Sequence, residues 1–167
     1  MAQTIDSVPK GHGLQVAVLV AQWHGAVTGR LLEGALAALT RLGVADDDVL
    51  VVEVPGAYEL PQAAQWIARA QMADAIVALG CVIRGETPHF EHVARTTTDG
   101  CLRAAQESGI PVGLGVITAD TQEQADQRSM AVDGGISQKG GNKGVEAADA
   151  AVRMAHTYRR LEEKLKG

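Results

Sequence analysis

The segment Gly80-Cys-Val-Ile-Arg-Gly-Glu-Thr-Pro-His-Phe90 leaves an apolar run, turns at Gly85 and enters helical spacing near Pro88. Backbone N–H groups at a helix N-terminus are unpaired and carry partial positive charge, so such a turn suits a phosphate. Thr87 can cap the helix or give its hydroxyl to the anion. His89 falls in the first helical turn, placed to shuttle protons near physiological pH. The same residues also make an ordinary turn and cap with His89 idle, and local spacing does not separate the two readings.

Three further segments carry chemistry-bearing side chains. Trp23-His24 follows an apolar run, where Trp23 can be core or a flat wall for a heterocycle. His24 has no visible partner and reads as a surface histidine. In Pro55-Gly-Ala-Tyr-Glu-Leu-Pro61, Gly56 would let backbone approach a ligand closely. Glu59 there binds hydroxyls or simply favours a helix N-terminus. Arg128 is a phosphate clamp or a solvated charge, and alone reads as the latter. Cys81, with no base near it in sequence, reads as buried and inert rather than nucleophilic. The five histidines lack metal-ligand spacing. A catalytic serine elbow, a Walker phosphate loop and a dinucleotide glycine fingerprint are absent too.

These segments must be held by an alternating set of elements. Val16–Val20, Val49–Val54, Ala75–Val82 and Pro111–Thr118 are short and rich in β-branched or small apolar residues, the pattern of buried strands. Helical spacing covers Val27–Leu42, Leu60–Ala70, Pro88–Ser108, Thr121 to about Ala131, and Val145–Leu165. Such alternation predicts a mainly four-stranded parallel sheet flanked by helices, a three-layer α/β domain over residues 14–167. Residues 1–13 read as a flexible arm, or one ordered only against a partner. In such sheets ligands bind beyond the carboxyl ends of the strands. That rule selects Ala21–Thr28, Val54–Glu59, Cys81–His89 and Leu114–Thr121.

Hydrophobic residues make up 46% of the chain and aromatics 3%, so the core must be built from Ala, Val, Leu and Ile. The net charge of −5 argues against nucleic-acid binding. No apolar run reaches the ~20 residues of a membrane span, and no signal peptide is legible. Two cysteines without paired spacing fit a reducing, cytoplasmic setting.

Four blocks together resemble the lumazine synthase family of riboflavin biosynthesis. They are Val54–Pro61, Leu79–Phe90, Gly115-Val-Ile-Thr-Ala-Asp-Thr-Gln-Glu-Gln-Ala125 and Gly141-Asn-Lys-Gly144, in the family's order and near its spacing. The resemblance covers roughly residues 14 to 160 and implies a flavodoxin-like domain. It implies homopentamers, some of which build icosahedral shells, with active sites between neighbouring subunits. The implied reaction condenses 5-amino-6-(D-ribitylamino)uracil with 3,4-dihydroxy-2-butanone 4-phosphate to 6,7-dimethyl-8-ribityllumazine, without a cofactor or metal. By position, Trp23, Cys81, Val82 and Ile83 match the pyrimidine site, and Gly56, Ala57, Tyr58 and Glu59 the ribityl turn. Gly85, Glu86 and Thr87 match the phosphate turn, and His89 the proton-transfer residue. From the adjacent subunit, Leu114 would cover the ring, Arg128 clamp phosphate, and Lys143 (rather than Lys139) reach the ribityl and phosphate region.

The chain departs from the family's pattern in three places. Trp23 stands where Phe is commoner, which favours retention of riboflavin or product. Leu114 replaces a frequent Phe. The stretch Asp133–Gly140 is longer than in shell-forming members, which implies free or paired pentamers rather than a shell. A flavin-binding or storage protein on the same scaffold would need Trp23 and the ribityl turn but neither His89 nor Arg128. A purely structural assembly module would have no use for the phosphate turn.

Overall fold

The structure, a computed structural model, describes residues 1–131 and 141–167. The lengthened stretch Asp133–Gly140, and Lys139 within it, lie outside the described residues. Four strands, β1 (Val16–Ala21), β2 (Val49–Val54), β3 (Ala75–Ile83) and β4 (Val112–Ala119), form one sheet. All pairings are parallel, in the order β2-β1-β3-β4. Five helices accompany them among the described residues: α1 (Gly25–Arg41), α2 (Leu60–Arg69), α3 (His89–Ser108), α4 (Gln122–Gln127) and α5 (Lys143–Lys166). The result is the three-layer α/β architecture that the alternation predicts, of the flavodoxin-like kind that the resemblance implies. No helix among the described residues is long and apolar enough to cross a membrane.

The alternation of side chains along each strand decides the layers. Val16, Val18, Val20, Val77 and Leu79 point to one face and pack with Leu31, Ala35, Leu39, Ala148 and Val152 of α1 and α5. Ala17, Leu19, Ile76 and Ala78 point to the other and pack with Leu60, Ala64 and Ala104 of α2 and α3. The largest fully buried side chains are Leu, Ile and Val, so this core is made without aromatic residues. Small residues then set the spacing between layers. A Cβ at Gly113 of β4 would lie 2.1 Å from the carbonyl oxygen of Ala147, so α5 rests directly on the strand's backbone.

Element boundaries shift where side chains or turns terminate the backbone pattern. α4 is shorter than the spacing predicts: Met130 donates its N–H to the carbonyl of Gly141, and Ser129 pairs with Asn142 in an antiparallel bridge. α5 starts two residues early because Asn142 caps it, its Oδ1 accepting from the N–H groups of Gly144 and Val145. Residues 1–13 hold no helix or strand and lie along α5 of their own chain. The carbonyl of Ser7 accepts from Arg153 at 2.6 Å, and Gly11 donates to Leu42.

Candidate active site

In the order β2-β1-β3-β4 the connections leave the sheet in opposite senses between β1 and β3, which opens a crevice at their carboxyl ends. A cavity of about 530 Å³ lies there, walled by the β1–α1, β2–α2 and β3–α3 connections and the first turns of α3. These are three of the four segments that the strand-end rule selects.

Trp23 is held by a continuation of the sheet. Gln22 and Trp23 donate their N–H groups to Val54 and Pro55 beyond the strand ends. Its indole lies over Gly56, where a Cβ would be 2.9 Å from the Cε3 atom. Gly56 is extended (φ −151°), so the requirement is space for the ring rather than an unusual backbone. Trp23 is 69% exposed and lines the cavity, so it forms a wall and no part of the core. Ala57, Tyr58 and Glu59 line the same wall on a short 3-10 turn that runs into α2.

His24, which its sequence context suggests is an idle surface residue, is exposed and also lines the cavity. Its backbone is left-handed (φ 58°, ψ 47°), a conformation uncommon outside glycine, asparagine, aspartate and histidine. Its carbonyl starts α1, accepting from Val27 and Thr28 at 2.9 and 3.0 Å.

The end of β3 brings Cys81, Val82 and Ile83 to the floor. Burial, then the charge of Asp126, pushes the Cys81 thiol up to about 11, so it is no nucleophile at neutral pH. The turn that follows is braced from outside. Arg84 donates to Asp120 at 2.7 Å and to Glu91 at 3.5 Å, and its guanidinium sits 4.7 Å from the Phe90 ring centroid. Gly85 and Thr87 line the cavity, whereas Glu86 is exposed outside its lining. Thr87 does not cap α3: Pro88 occupies that position and no side chain takes the helix's first N–H groups. The N–H groups at the start of a helix carry partial positive charge. His89 is the first residue of α3 and lines the cavity.

Sequence reasoning missed Phe90, His92, Val93 and Thr96, which also line it. His89, His92, Val93 and Thr96 are spaced as one helix face, the signal that could have found them. Leu114, Arg128 and Lys143 do not line this chain's cavity. Leu114 is 43% exposed on the edge strand β4. Arg128 ends α4 and donates to the carbonyl of Gln124 at 3.1 Å. Lys143 opens α5 and pairs with Glu146 at 2.6 Å. The two cations are neighbours, since the N–H of Lys143 donates to the carbonyl of Arg128 at 2.8 Å.

The family model for 6,7-dimethyl-8-ribityllumazine synthase matches residues 13–159. A 6,7-dimethyl-8-ribityllumazine synthase of Anaeromyxobacter dehalogenans (strain 2CP-C) is 47% identical over 151 residues, covering 90% of this chain and 89% of the relative. Together with the strand-end cavity and its wall of Trp23 on Gly56, these matches carry the conclusion that the chain belongs to the 6,7-dimethyl-8-ribityllumazine synthase family.

Proposed function

We propose that this chain synthesises 6,7-dimethyl-8-ribityllumazine in the cytoplasm, as a homopentamer with its active sites between neighbouring subunits. One observation carries the site: a single cavity joins an aromatic wall, Trp23 over Gly56, to an uncapped helix start bearing His89. The uracil ring stacks on Trp23, with its edge against the backbone of Cys81, Val82 and Ile83. The ribityl chain lies on the Gly56-Ala57-Tyr58-Glu59 turn, and the phosphate on Gly85, Glu86 and Thr87. The adjacent subunit adds Leu114 over the ring, Arg128 on the phosphate and Lys143 beside both.

The 5-amino group of the uracil attacks the ketone of the butanone phosphate, and loss of water gives an imine. Phosphate leaves, an enol forms, and ring closure with loss of a second water completes the lumazine. Both substrates are reactive, so much of the acceleration comes from holding them together. His89 moves protons, an effect of ~10²–10⁴-fold in general. An absorbance assay of purified protein with both substrates tests the reading. Lumazine should form well above the spontaneous rate, and His89→Ala should slow turnover without abolishing it. No acceleration over buffer, with riboflavin nonetheless bound tightly, would turn the assignment to a flavin-binding relative. Trp23 supports that capacity in the enzyme as well, because its exposed face offers a flat ring a partner. Riboflavin added to the protein should therefore lose fluorescence, and a flat titration would remove the idea.

A further inference from the structure

Arg30 lies on α1, far along the chain from α4 and α5, yet it is tied to both. Its Nε donates to the carbonyl of Ser129 at 2.9 Å and to Oγ of the same residue at 3.3 Å. Its Nη2 donates to Asp126 at 2.6 Å and to Ser129 Oγ at 3.0 Å. Its own carbonyl accepts from the amide of Asn142 at 3.0 Å, and that amide also donates to the carbonyl of Met130 at 2.8 Å. Asn142 is fully buried, and its oxygen caps α5 at the same time. A Cβ at Gly34 would lie 2.5 Å from Asn142 Oδ1, and one at Gly144 2.0 Å from the carbonyl of Leu31. The three helices meet without slack at this one point.

What this junction fixes is the pair Arg128 and Lys143. Arg128 precedes Ser129, Lys143 follows Asn142, and the two anchors are themselves bridged. A helix cap and a buried asparagine would suffice to start α5. They do not require a guanidinium from α1 that makes four hydrogen bonds to Asp126 and Ser129, on either side of Arg128. We propose that Arg30, acting through Asp126, Ser129 and Asn142, is a positioning residue that sets Arg128 and Lys143 side by side for the phosphate-bearing substrate. The proposal rests on the reading of those two cations given above. Arg30 touches no substrate; its guanidinium fixes the backbone from which both side chains reach, and a fixed fork loses less freedom on binding than two independent chains.

The test compares Arg30→Met, Arg30→Lys, Arg128→Ala and the double variant Arg30→Met with Arg128→Ala, each as the full assembled chain. The readouts are the KM for the butanone phosphate, inhibition by inorganic phosphate, and kcat. Arg30→Met should raise KM and weaken phosphate inhibition, each roughly five- to tenfold. Its kcat at saturation should stay within about twofold of the parent, as expected when uniform binding is lost. Arg30→Lys should fall between, and Arg30→Met should cost less on top of Arg128→Ala than it does alone, because only Lys143 is then left to misplace. A folded, assembled Arg30→Met with parental KM and phosphate inhibition, beside an Arg128→Ala that is impaired, overturns the positioning role and leaves Arg128 in the site. Parental behaviour of Arg128→Ala itself overturns both. Should Arg30→Met fail to fold, Asp126→Asn removes the charged partner from a half-exposed position and is read by the same outcomes.

Discussion

Burial pushes the thiols of Cys81 and Cys101 up from 9.0 to about 11, at Cys81 with a further push from Asp126. A thiol whose pKa is raised on folding stabilises the fold fully below its unfolded value, and that contribution is lost as pH climbs through the folded one. Melting temperature should therefore fall between pH 9 and 11, and fall less steeply in Cys81→Ala with Cys101→Ala. Thermal unfolding at several pH values measures both; identical slopes would show that the thiols are not the cause. Neither cysteine should react with iodoacetamide at pH 8 until the chain is unfolded. Gly56 gives a second residue-scale test. With Ala at 56 the indole of Trp23 must move, and the stacking arrangement it loses is worth about 1 kcal/mol. Riboflavin affinity should fall roughly fivefold, by fluorescence titration, with the melting temperature little changed.

At the scale of elements, the strands are legible because each is a short run of β-branched and small residues suited to a buried sheet. The ends of helices are less so. α4 reads as helix to Ala131, but Met130 and Ser129 pair instead with Gly141 and Asn142, partners beyond the i to i+4 reach that helical spacing reads. His24 reads as a surface histidine because a lone imidazole after a strand looks solvated; it is exposed, and its place beside the cavity and its left-handed backbone have no signal in the residue type alone. Thr87 resembles a cap because its type is right, yet Pro88 takes that place. Trp23, Gly85 and His89 line the cavity, as their positions beyond the strand ends predict. Asn142 shows what an element boundary is worth. Replacing it by Ala removes the cap of α5 and takes the amide donor from the carbonyls of Arg30, which keeps its helix partner, and Met130, which should cost about 2 kcal/mol. Urea unfolding would measure it, and a loss below that of an ordinary surface substitution would mean the junction relaxes around the gap.

At the scale of the whole molecule, Leu114, Met130, Tyr58 and Trp66 face solvent in one chain, and the proposed pentamer would cover Leu114. Light scattering of the purified protein should give a mass of one pentamer or a pair of them. A particle of shell size would overturn the expectation drawn from the length of residues 133–140. The packing of α5 against α1, described above as a matter of missing Cβ atoms, also has a consequence in time. About a hundred residues separate Arg41, where α1 ends, from Lys143, where α5 begins. At the pace of protein synthesis that interval lasts roughly five to twenty seconds. Throughout it Leu31, Ala35 and Leu39 lack the cover that Ala148 and Val152 later give them. The nascent chain must wait with an oily stripe open on its first helix, a window in which a chaperone has something to hold.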